Sequence, residues 1–206
     1  MPAIRYLALG DSYTIGESVP ENECWPNQLA RLLQANDVST EVTIIARTGW
    51  TTDELWKGIQ AAEINPPYDL VSLLIGVNNQ YRGLDIDEYR QEFVFLLNKA
   101  IEYAGGDANQ VFVLSIPDWG VTPFASGHNA EQIGREIDMF NTVNGEESEK
   151  AGVHYVNVTP ISREAVTDVT LIASDGLHPS GKMYAEWAKL AFPEVFKVLE
   201  TKWLLE

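Results

Sequence analysis

The chain has almost no cysteine. Cys24 is the only one among 206 residues, so no disulfide can form within it, and a reducing compartment suits it. Histidine is scarce too: only His128, His154 and His178 are present. These residues show no metal-ligand spacing, so no metal site is predicted. Basic residues are few, 14 against 30 acidic ones, which gives a formal charge of −16. That argues against a broad electrostatic grip on nucleic acid or on an anionic membrane. It leaves a small neutral ligand open. Long apolar runs are missing. No stretch approaches the roughly 20 apolar residues that span a bilayer. The opening "MPAIRYLALGD" lacks the long apolar core and small-residue cleavage site of a signal peptide. The expectation is a cytoplasmic protein without stable membrane association, secretion staying open if a leader was removed. Neither G-x-G-x-x-G in the first turn nor G-x-x-x-x-G-K-[ST] occurs, so no nucleotide cofactor is predicted.

What is present is an alternation of strand-like and helix-like segments. Ile4 to Leu9, Glu41 to Ala46, Asp69 to Ile75, Val111 to Ile116 and Val153 to Val158 read as strands. The nearly unbroken apolar run of the third suits a strand covered on both faces of a parallel sheet. Between them lie helical patterns. The clearest repeats Phe93, Leu96, Leu97, Ala100, Ile101 and Ala104 at three-four spacing before Gly105-Gly106. A last helix begins after Pro179-Ser180, and Pro193 is expected to kink or restart it. Five strands separated by helices predict a single α/β domain over 1–206, with a mainly parallel sheet and helices on both faces.

Ligands of open parallel sheets bind at the carboxyl ends of the strands. Strand one exits into Gly10-Asp11-Ser12, strand two into Arg47-Thr48-Gly49-Trp50, strand three into Gly76-Val77-Asn78-Asn79, and strand four into Pro117-Asp118-Trp119-Gly120. The loop before the last helix carries Ser174-Asp175-Gly176-Leu177-His178. Asp11 and Ser12 fit a turn. Ser12 also fits a nucleophile, since a hydroxyl on a turn entering a helix can face solvent beside free backbone N–H groups, although the turn is the commoner reading of these residues taken alone. His178 is the candidate base. Asp175 lies three residues earlier, and turn positions i and i+3 come within about 7 Å at Cα. That suffices for the carboxylate to hold the imidazole, whether as a closed turn or as part of a reaction centre. Acyl transfer also needs donors aimed at a developing oxyanion. The N–H of Ser12, the N–H of Gly49 and the Asn78 amide are the candidates. Trp50, Trp119 and Phe124 follow strands two and four, and are expected either to wall a substrate pocket or to pack under the loops. Asp11 and Tyr13 are assigned to the turn.

Taken together, "LGDSYTIG", "ARTGWTT", "IGVNNQ" and "SDGLHPSG" resemble, in chain order, four sequence blocks of the SGNH hydrolases, also called the GDSL esterase/lipase family. The resemblance implies a flavodoxin-like three-layer α/β/α sandwich and metal-free ester hydrolysis at an open site. It implies Ser12 as nucleophile, His178 as base, Asp175 as its orienting acid, and Ser12, Gly49 and Asn78 as the oxyanion hole. The implied partner is a small-molecule ester, with no cofactor. Acyl transfer to another acceptor uses the same residues, and a flavodoxin-like module that only binds a ligand is the alternative outside enzymes. One position departs from the pattern. The third block usually ends in Asp, and here Asn79 stands there. Its neutral side chain is expected to order the loop differently, while the donor Asn78 is kept.

Overall fold

The computed structural model describes residues 3–205, with side chains described through residue 201. β1 (Ile4–Asp11) is followed by the one-turn helix α1 (Ser12–Ile15) and by α2 (Trp25–Gln34). Next come β2 (Thr40–Arg47), α3 (Thr52–Ala61), β3 (Leu70–Leu74), α4 (Val77–Tyr81) and α5 (Ile86–Tyr103). The chain continues through β4 (Val111–Leu114), α6 (Ala130–Ala151), β5 (His154–Val156), α7 (Thr159–Arg163) and α8 (Gly181–Leu205). The sheet order is β2-β1-β3-β4-β5, and all four pairings are parallel. This is the flavodoxin-like order, whose switch point lies between β1 and β3.

Burial explains why these segments take these places. β3 and β4 are buried at every residue, and β1 at every residue but Arg5. β2 is an edge strand and alternates less cleanly. α2 packs against α8, while α5 packs against both α3 and α6 on the other layer. Trp25 and Trp187 are fully buried and fill the α2–α8 layer. The Gln28 side-chain amide donates to the Gly181 carbonyl at 2.7 Å, which joins α2 to the start of α8. No described helix is long and apolar enough to cross a membrane.

Two expectations need correction. Of the kink or restart expected at Pro193, the restart does not occur: α8 runs through the proline. Val195 and Leu199, beyond the proline, are fully buried. Their packing offsets the backbone hydrogen bond that proline removes. The stretch after β3 is a helix, α4, and not only a loop; five residues are too few to show a period.

Gly10 is required by close approach. A Cβ there would lie 2.5 Å from the Leu74 carbonyl oxygen and 2.1 Å from the Thr14 hydroxyl. Glycine thus lets α1 start directly above the ends of β1 and β3.

Candidate active site

β1 extends to Asp11, so Ser12 is the first residue beyond the sheet. Asp11 caps α1, and its carboxylate accepts the Tyr13 N–H at 3.0 Å. Ser12, and with it the hydroxyl, thereby sits at a helix start in the lining of a cavity of about 170 Å³. Among the described residues that hydroxyl makes no hydrogen bond. Gly49, Asn78, Trp119, Phe124 and His178 line the same cavity, as do Tyr13, Thr48, Val77, Tyr81 and Leu177. Residues from all four exits and from the loop before α8 therefore meet at one place.

The Asp175–His178 pair has the geometry that their spacing suggested. His178 Nδ1 lies 2.6 Å from one Asp175 oxygen. The other oxygen accepts the N–H groups of Leu177 at 2.9 Å and His178 at 3.0 Å. Ser18, a residue with left-handed backbone at φ 66°, donates its hydroxyl to Asp175 at 2.6 Å. Burial pushes the Asp175 carboxyl up. The bonds from Ser18, His178 and the two backbone groups outweigh it and hold the carboxyl well below the usual range. An ionised Asp175 keeps the proton of His178 on Nδ1 and leaves Nε2 as the basic nitrogen.

Gly49 has φ 84°, a conformation that strains any side chain. Its carbonyl accepts a bond from Arg82 at 2.6 Å. That anchors the turn from behind. The Asn78 amide donates to the Trp50 carbonyl at 2.9 Å and lies 3.5 Å from Asp11. The second contact is long, so this donor stays available to a ligand.

Asn79 explains itself structurally. Its side chain is buried, its oxygen accepts the Thr52 N–H at 3.1 Å, and its amide donates to the Thr52 hydroxyl at 2.7 Å. The Thr52 proton is then free to go to the Glu92 carboxylate. A neutral amide thus joins the start of α3 to α4 without placing a second carboxylate next to the half-buried Glu92.

Trp119 and Phe124 line the cavity as expected. The indole N–H of Trp119 donates to Gln80 at 2.8 Å. The preceding Asp118 is held by Arg163 at 2.9 Å, and the Phe124 N–H donates to the Gly176 carbonyl at 2.9 Å. The first two bonds tie the long loop to α4 and α7, and the last ties it to the loop that carries His178. Trp50 is different. Its ring lies over Gly58 on α3, where a Cβ would come within 2.1 Å of it, and it does not line the cavity. Tyr13 also departs from its assignment to the turn. Its ring meets His178 edge-on at 5.7 Å and lines the cavity. His154 stacks on Phe112 at 4.5 Å, a packing role.

Asp11 is fully buried, and burial pushes its carboxyl up to about 7. A carboxyl raised in this way carries less negative charge beside Ser12 at neutral pH than an ordinary aspartate does. Its folded value lies above the ordinary 3.8. Its contribution to stability is therefore present in full below about pH 4 and is lost as pH rises toward 7. The loss is on the order of 4 kcal/mol. Asp11→Asn retains the cap and removes the titration. Urea unfolding at pH 5 and pH 8 should show the variant gaining on the wild type by about 2–3 kcal/mol, the part of that loss that falls between these values. Equal pH dependence of the two proteins would show that Asp11 does not titrate in this range.

The sequence profile of the GDSL-like Lipase/Acylhydrolase family matches residues 8–186, and the chain belongs to that family. Family membership supports a hydrolase activity. Solved structures share the fold. One is TesA, at 19% identity and TM-score 0.70, covering 94% of this chain and 99% of that one. Another is the psychrotrophic esterase EstA from Pseudoalteromonas sp., at 19% and 0.68, covering 98% and 99%. A third is Axe2, an acetylxylan esterase from Geobacillus stearothermophilus, at 19% and 0.73, covering 93% and 94%. At such identities the likeness establishes the fold. A comparison with curated proteins found no match.

Proposed function

We propose that the protein hydrolyses carboxylic esters of small soluble substrates through an acyl-enzyme on Ser12. One observation carries this reading. Ser12 and His178, from opposite ends of the chain, line one cavity, and His178 Nδ1 is held 2.6 Å from the Asp175 carboxylate. Ser12 Oγ attacks the ester carbonyl while His178 Nε2 takes its proton. Asp175 keeps the imidazole in the tautomer that can accept it. Negative charge on the carbonyl oxygen is met by the N–H groups of Ser12 and Gly49 and by the Asn78 amide. The alcohol leaves with the proton from His178. Water then attacks the acyl-enzyme and restores Ser12.

The volume and the walls support a short acyl group. The cavity is about 170 Å³, and Val77, Trp119, Phe124 and Leu177 make much of its wall apolar. The test is a set of aryl esters of increasing acyl length. Turnover should be greatest for the shortest chains and fall by about tenfold or more once the acyl group outgrows the cavity. Trp119→Ala should move that limit to longer chains. An unchanged preference in the variant would remove Trp119 from the pocket wall. A fluorophosphonate probe should attach to Ser12, and attachment elsewhere would overturn the acyl-enzyme.

A further inference from the structure

The cavity at Ser12 shares a wall with a second depression, since Tyr81 and Trp119 line both. The second is an open groove of about 520 Å³, within the range that holds a drug-sized ligand, about 300–1,000 Å³. Its far side carries Gln80, His128, Gln132 and Glu136.

The polar groups of this groove are tied in series. The Trp119 indole donates to Gln80 at 2.8 Å, Gln80 donates to Glu136 at 2.7 Å, and Gln132 donates to the other Glu136 oxygen at 2.8 Å. Such a chain fixes planar amide and carboxylate groups in place and leaves each with unused hydrogens or lone pairs. Beside them stand rings. Tyr81 is 53% exposed, and His128 stacks on Phe124, itself 43% exposed, at 6.4 Å.

This combination selects a chemistry. No Lys or Arg lines the groove, and Glu136 adds negative charge to a chain of formal charge −16. Phosphate-bearing bodies are repelled. An alkyl chain would cover the amides and the carboxylate and leave their remaining hydrogens and lone pairs unsatisfied, at a cost. A polyhydroxyl ring meets both surfaces, its hydroxyls on the amides and carboxylate and its C–H face on the rings.

We propose that this groove binds a sugar ring, and that the substrate is an acylated oligosaccharide. The ring bearing the ester sits at Ser12, its acyl group enters the cavity, and the neighbouring ring occupies the groove. This rests on the ester-hydrolase reading above.

The test compares 4-nitrophenyl acetate, singly acetylated glucose and singly acetylated cellobiose. Wild type should favour the cellobiose ester over the glucose ester by about tenfold in kcat/KM. Gln132→Ala with His128→Ala should abolish that preference and leave 4-nitrophenyl acetate within about twofold. As a readout independent of turnover, unacetylated cellobiose should shift the NMR signal of the Trp119 indole N–H in Ser12→Ala, and the added Gln132 and His128 substitutions should remove the shift. Turnover of 4-nitrophenyl acetate with equal rates on the two sugar esters and no indole shift overturns the groove and spares the ester reading. A preference that survives in the groove variant also overturns it. Absence of turnover on all three esters overturns the ester reading, and the indole titration then decides the groove alone.

Discussion

Ser12→Ala is expected to lower ester turnover by at least about 10⁴-fold, because removing the nucleophile of a unit that acts together forfeits nearly all of its catalysis. Stability should hardly change. The Ser12 hydroxyl makes no hydrogen bond among the described residues, so its loss leaves no orphaned partner. The cap of α1 comes from Asp11 and stays in place. Turnover on short aryl esters and a thermal melt, run on the same preparation, separate the two effects. A variant that melts like the wild type but keeps more than about 1% of its turnover would place the chemistry elsewhere.

The second large effect is expected at Asp175. Asp175→Asn should cost about 10³–10⁴ in kcat, with KM changed little. Here the reason is local. One oxygen of Asp175 accepts two backbone N–H groups, and the other accepts from Ser18 and lies 2.6 Å from His178 Nδ1. An asparagine must turn its amide to one side. Turned toward His178, it donates to Nδ1 and moves the ring proton to Nε2, which then cannot take the proton of Ser12. Turned toward the backbone, it sets donor against two donors. The loss should be accompanied by loss of the NMR signal of the Nδ1-bound proton of His178. Retention of that signal together with full turnover would show that Asp175 only closes a turn.

Much of the site was legible because its parts are backbone devices. Gly10 and Gly49 allow conformations and approaches that a Cβ forbids, and Asp175 to His178 spans one turn; such features announce themselves locally. The α/β alternation and the burial of β3 were legible from apolar runs for the same reason. Residues whose role depends on packing across the chain were not. Tyr81 sits on a helix too short to show a period. Ser18 reaches Asp175 across 157 positions of sequence. Tyr13 looked like a turn residue until its ring was seen against His178. Trp50 stands at the right strand end, but a gap over Gly58 drew its ring away. Asn79 broke the family pattern, and only the pairing of Thr52 with Glu92 shows why the amide is tolerated.

On the proposed mechanism the hydroxyl leaves the first strand and the imidazole stands just ahead of α8, so a nascent chain on the ribosome would carry no working centre until its final helix emerges. Incomplete translation products would then be inert toward esters. On the same proposal ester turnover would report finished folding, and a proteolytic nick that releases α8 would silence the protein even where the sheet survives.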